Sequence, residues 1–206
     1  GGYSTVTMPA ADLLQRADKQ THWIHNWLPY DLPGDMGWTR AVVGAATDTL
    51  SNGKVTISGG LTTSLSYTLN ASAGPTVAEG VICRWRVKVT SGTIDWKIHN
   101  DDGSNDYALE VRATSTSIVL RDQNAISELA TATSLSGSYD ILVGMKGSGA
   151  VVYYRETSTL DEDRKWVLLH AATGLSDGGG TLGAPRFQWG KLRTSPACNA
   201  DVYEHH

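Results

Sequence analysis

From about residue 38 onward the chain is a run of short segments in which apolar and polar residues alternate with a period of two. Each segment is closed by turn-forming residues. The segments are Arg40–Gly44, Lys54–Ser58, Thr62–Leu69, Val81–Val89, Thr93–His99, Tyr107–Arg112, Ser117–Arg121, Tyr139–Lys146, Ala150–Arg155, Lys165–His170, Pro185–Lys191 and Ala200–His205. Between them stand Ser51-Asn52-Gly53, Thr90-Ser91-Gly92, Asp102-Gly103-Ser104-Asn105 and Gly147-Ser148-Gly149. A period of two puts successive side chains on opposite faces of a pleated strand. Regular short strands with turn signals at this spacing make a sandwich or a barrel. Composition agrees: one Phe stands against seven Trp and eight Tyr, and there are 22 Gly. Aromatic residues suit strands and glycines suit turns. At 206 residues the chain can bury a core without staples.

The alternation assigns faces. Val81, Cys83, Trp85, Val87 and Val89 share one side of their segment, and Ile82, Arg84, Arg86 and Lys88 the other. Ile94, Trp96 and Ile98 oppose Asp95, Lys97 and His99; Tyr107, Leu109 and Val111 oppose Ala108, Glu110 and Arg112. Three successive strands are thus expected to carry one apolar and one charged, solvated face, as antiparallel sheets do.

Residues 1–37 read differently and form an N-terminal helical or irregular arm ahead of a β domain over 38–206. Pro9–Gln20 is the one convincing helical run, with Thr7 as cap and Leu13, Leu14 and Ala17 as a narrow apolar stripe. Trp23, Ile24, Trp27, Leu28 and Tyr30 follow. So short a helix is marginal alone and must pack on its own sheet edge or on a partner. Leu13, Leu14, Trp23, Trp27 and Tyr30 are the assembly candidates.

Charge and hydropathy exclude several classes. Seventeen Lys and Arg against 21 Asp and Glu give a net charge of −4, the wrong sign for a nucleic-acid binder. No stretch approaches the length of apolar residues that a membrane-spanning helix needs. The opening Gly1-Gly2-Tyr3-Ser4 has neither the basic nor the apolar region of a signal peptide. Cys83 and Cys198 form no Cys-x-x-Cys pair, which argues against structural zinc, and Cys83 lies on an apolar face where a free thiol behaves as a small hydrophobe.

Two constellations carry chemistry. Arg84, Arg86, Lys97, His99, Glu110 and Arg112 are the glycan-binding candidates, expected to line one sheet face; the competing reading is a solvated face with cross-strand ion pairs. Glu110 stands alone on its strand beside Arg112, as a surface ion pair would. Asp101, Asp102, Asn105 and Asp106 supply hard oxygen ligands in one loop and are calcium candidates, although Asn, Asp and Gly are also ordinary turn residues. No cofactor is otherwise expected. No phosphate loop, nucleophile elbow or Cys/His catalytic pattern occurs.

The order of signals resembles the concanavalin A-like (laminin G-like) jelly rolls. Trp38 precedes a first strand, Ser51-Asn52-Gly53-Lys54-Val55-Thr56-Ile57 is similar to that family's hairpin entry, and Tyr139–Lys146 with Val151–Arg155 resemble its paired back strands. Trp166, Pro185–Gly190 and Ala200–Tyr203 resemble its final strands. The resemblance implies an all-β, antiparallel β-sandwich jelly roll. Glucanases of the family carry Glu-x-Asp-x-x-Glu on one strand, and no Glu here has that spacing, so the resemblance implies no retaining carboxylate pair. It extends to domains on bacteriophage tails and capsids. The resulting expectation is a non-catalytic virion structural protein, a capsid decoration or tail appendage, homo-oligomeric and joined to other virion proteins through the arm. Its lectin-like domain would sit at the virion surface and contact cell-surface polysaccharide. The alternatives are a secreted carbohydrate-binding module and a polysaccharide-cleaving enzyme.

Overall fold

A computed structural model describes residues 38–70, 80–101, 104–157, 165–179 and 186–205. The arm, with Leu13, Leu14, Trp23, Trp27 and Tyr30, lies outside them. The described residues form fourteen strands and no helix. In chain order these are β1 (Thr39–Val43), β2 (Thr47–Ser51), β3 (Lys54–Gly59), β4 (Ser64–Asn70), β5 (Val81–Ser91), β6 (Thr93–Asp101) and β7 (Asp106–Thr114). They continue as β8 (Ser117–Asp122), β9 (Ser127–Thr133), β10 (Ser138–Lys146), β11 (Gly149–Glu156), β12 (Val167–Ala172), β13 (Arg186–Lys191) and β14 (Cys198–His205).

Two antiparallel sheets of seven strands stack face to face: a front sheet, β1-β4-β13-β6-β7-β8-β9, and a back sheet, β12-β11-β10-β5-β14-β3-β2. This is the expected all-β sandwich. The apolar sides chosen by alternation do meet between the layers: Cys83, Trp85, Val87 and Val89 from the back sheet, and Ile94, Trp96, Ile98, Leu109 and Val111 from the front. Trp85 stacks on Trp96 across the interlayer space, ring centroids 5.1 Å apart. Tyr139 satisfies its buried hydroxyl by donating to the Thr114 carbonyl (2.9 Å) and accepting from Gly137 N–H (3.0 Å).

Two strands lie beyond the sequence expectation. Asn52 and Gly53 have φ of 51° and 70°, the left-handed pair of a two-residue hairpin, and Ser51 pairs with Lys54 across it. That turn needs a strand on its N-terminal side, and β2 supplies it. β9 is Ser-Glu-Leu-Ala-Thr-Ala-Thr, an edge strand whose small residues carry almost no hydrophobic alternation.

The larger difference concerns β5 and β6. They follow each other through a turn at Gly92 yet belong to opposite sheets. Gly92 has φ 73°, and a Cβ there would stand 1.6 Å from the Ala197 carbonyl oxygen. The corner between the sheets is therefore built from a glycine pressed on the loop that enters β14. Both cysteines are buried and free.

Candidate functional site

Because β5 and β6 lie in different layers, the six glycan-binding candidates do not share a face. Arg84 and Arg86 point outward from the back sheet. Lys97 and His99 on β6, with Glu110 and Arg112 on β7, point outward from the front sheet.

On the back sheet the arginines are tied up by one carboxylate. Asp140, fully buried on β10, accepts from Arg84 Nη2 (3.1 Å), Arg86 Nε (2.9 Å) and Arg155 Nε (2.8 Å). Burial opposes its ionisation, but the hydrogen bond from Arg86 and the surrounding guanidiniums outweigh that and hold it below the usual carboxylate value. Arg155 in turn lies over the Trp166 ring, 4.9 Å from its centroid.

The front sheet carries a pocket. Strand register sets Lys97 opposite Glu110, Glu110 opposite Arg121, and Gln188 opposite Lys97, so one row crosses β13, β6, β7 and β8. Lys97, Glu110 and Arg121 of this row, with Gln123, Ile126, Leu192 and Arg193, line a pocket of about 260 Å³. Leu192 and Arg193 come from the segment after β13, Gln123 and Ile126 from the β8–β9 turn. Ile126 is 72% exposed with φ 54°, and its carbonyl accepts from Arg121 Nη2 at 3.2 Å. A β-branched residue in the left-handed region is strained backbone, here at the pocket rim.

The charged face is not uniformly wet as expected. Asp95 and Glu110 have 0% and 1% of their surface exposed. Arg112 donates to Asp95 Oδ1 and Glu110 Oε1, each at 3.1 Å, and Arg193 donates to the same two atoms at 3.4 and 2.5 Å. Burial, then the hydrogen bond and charge of Glu110, push the Asp95 carboxyl up to about 6. Burial also acts to raise Glu110, but hydrogen bonds from Arg193, Asp95 and Arg112 prevail and hold it far down. Two close buried carboxylates do not both ionise freely, so the last proton of the pair is held more tightly than on a lone carboxylate. Glu110 is thus neither solitary nor an exposed ion pair.

His99 lies one outward-facing position along β6 from Lys97, outside the pocket lining. Its Nδ1 lies 3.1 and 3.2 Å from the two Asp106 oxygens. Asp106 N–H donates to Asp177 Oδ1 (2.9 Å), and the Asn124 amide donates to the Asp106 and Ser176 carbonyls, which lash this loop to its neighbours. The calcium expectation gains nothing from this arrangement: Asp106 is committed to His99, and Asp102 lies outside the described residues. Among the described residues no three His, Cys, Asp or Glu side chains, Asp101 included, are grouped to hold a metal ion.

Asp95, Arg121, Gln123 and Arg193 were not nominated from the sequence. Asp95 and Arg121 were legible in principle as outward-facing alternates of recognised strands. Arg193 stands two positions past the end of β13 in a segment without periodicity, so no local pattern marks it.

No protein-family model and no curated protein matches the sequence. Solved structures do match in shape. One is a conserved carbohydrate esterase from the Shiga toxin-encoding bacteriophage phi24B, at 12% identity and TM-score 0.57, covering 84% of this chain and 89% of that one. Another is the VIP36 exoplasmic/lumenal domain with Ca2+ and Man3GlcNAc, at 13% identity and TM-score 0.54, covering 88% and 86%. A third is the alginate lyase from Corynebacterium sp., at 14% identity and TM-score 0.50, covering 78% and 80%.

Proposed function

The described domain has the concanavalin A-like jelly-roll fold, and from that premise we propose that the chain is a glycan-binding module. Its binding surface is the outer face of the front sheet. The observation that carries this reading is the polar pocket walled by Lys97, Glu110, Arg121 and Arg193 with an apolar rim of Ile126 and Leu192. Such a wall offers charged donors to sugar hydroxyls and an apolar surface to the sugar ring. The solved neighbours named for carbohydrate ligands or substrates support it at the level of shape. A glycan array, followed by repeat binding with Lys97→Ala and Arg121→Ala, tests the reading. Reproducible binding that both variants lose is expected; an array without binding ends it.

The setting we propose is a virion surface, with residues 1–37 docking the module onto other virion proteins or further copies of itself. One shape neighbour is a bacteriophage protein, which supports this over a secreted module. Deleting residues 1–35 should leave the sandwich folded and stop its incorporation into particles. A truncated chain that still joins the particle refutes the docking role.

One observation favours an enzymatic alternative. A carboxylate at Asp106 accepts the proton of Nδ1 in a hydrogen bond, which leaves Nε2 as the basic nitrogen of His99, a residue on the same sheet face as the pocket. Release of unsaturated or reducing ends from a polysaccharide, lost in His99→Ala, would establish that reading.

A further inference from the structure

The pocket contains more positive charge than its own carboxylates use. Glu110 faces Lys97 directly across β6 and β7, and Arg121 directly across β7 and β8. Cross-strand neighbours of opposite charge normally pair. Here Glu110 turns instead to Arg112 and Arg193, both of which also hold Asp95. Lys97 and Arg121 are left, among the described residues, without an ion-pair partner. Glu128, opposite Arg121 on β9, is hydrogen-bonded to Thr131 rather than to the guanidinium. Beside them Gln123 Oε1 is a buried acceptor with no partner among the described residues.

We infer that the pocket takes an anionic saccharide, a sugar ring bearing a carboxylate, and this rests on the glycan-binding reading. Neighbouring strands lie about 5 Å apart, so Lys97 and Arg121, two strands removed, start roughly 10 Å apart at the backbone. Side chains of their length converge on one carboxylate or hold carboxylates on adjacent sugars. The unpaired Gln123 oxygen accepts from a ring hydroxyl, and Leu192 and Ile126 cover the apolar edge. The Asp95–Glu110 unit serves as the anchor that keeps Arg193 at the wall.

The test uses the full chain, isothermal titration calorimetry, and two forms of one backbone. These are an oligogalacturonate and its fully methyl-esterified counterpart, which keeps every hydroxyl and loses the charge. Neutral mannan, xylan and β-glucan oligomers are run alongside. The acid form should bind, and the methyl ester should bind about tenfold or more weakly, as loss of a charge-assisted contact implies. Lys97→Gln and Arg121→Gln should each weaken the acid form by about the same factor. Lys88→Gln, on the outer face of the opposite sheet, should leave it unchanged. Circular dichroism confirms that each variant is folded. Equal binding of acid and ester, or preference for a neutral oligomer, overturns the inference and leaves the glycan reading standing. Equal weakening by Lys88→Gln reduces the effect to bulk charge and overturns it as well. No binding across the whole set removes both.

Discussion

Asp95 and Glu110 are gripped by the same two guanidiniums: Arg112 bonds both carboxylates at 3.1 Å, and Arg193 reaches both from the segment after β13. The unit joins two strands of the front sheet to a segment far away in sequence, and it decides which charges remain for a ligand. Arg112 and Arg193 are consumed, whereas Lys97 and Arg121 are not.

The first prediction concerns pH. Asp95 binds its proton more tightly folded than unfolded, because burial and Glu110 raise it to about 6. Stability from that group is complete below its unfolded value and is lost as pH rises through about 6. Glu110 has the opposite sign: it is held low, so its contribution is present above its unfolded value and is lost on acidification. In Asp95→Asn the decline on going from pH 4 to pH 7 should flatten, while the acid loss due to Glu110 persists. Urea unfolding at several pH values measures this, and an unchanged slope in the variant contradicts it.

The second prediction concerns Asp140, the fully buried anchor of Arg84, Arg86 and Arg155. Asp140→Ala leaves guanidiniums crowded without their counter-charge and should cost about 3–5 kcal/mol of unfolding free energy. Arg86→Ala should cost clearly less, because two arginines still hold the carboxylate. Chemical denaturation of both variants ranks them, and the reverse order would be decisive against this account.

Glycine positions offer a contrast for the third. Gly92→Ala places a methyl group 1.6 Å from the Ala197 carbonyl oxygen, so it should prevent the sheet-to-sheet corner from closing and abolish cooperative folding. Gly147→Ala meets no atom within 4 Å and suffers only its φ of 54°, worth about 1 kcal/mol. Thermal melts of the two variants would show comparable losses only if the corner were not a steric requirement.

Thiol chemistry provides the fourth. Burial raises both Cys83 and Cys198 well above the usual thiol value, the latter to about 11. Neither should react with iodoacetamide in the native protein, and both should react after unfolding. Rapid native labelling of Cys83 would show that β5 is not packed as described.

How much was legible depends on range. The period-two alternation of Val81–Val89, Thr93–His99 and Tyr107–Arg112 correctly put Trp85, Trp96 and Leu109 inside, since a pleated backbone ties each side chain's direction to its neighbours'. The Asn52-Gly53 turn is equally readable, but the strand it requires, Thr47–Ser51, has a single apolar residue and no alternation to mark it. Periodicity could not say that β5 and β6, joined by a tight turn, enter different layers. That choice depends on which distant strands, β10 and β14 for one, β13 for the other, offer free hydrogen-bonding edges.

The amino-acid sequence alone determined an all-β sandwich and the inward face of its principal strands, because those follow from local backbone geometry. Only the tertiary structure separated Arg84 and Arg86 from Lys97 and His99. It alone brought Arg193 across 98 residues to Asp95 and across 83 to Glu110. A charged side chain carries no local mark of its partner, and its pairing is settled by sheet register and by which segment comes to lie over it.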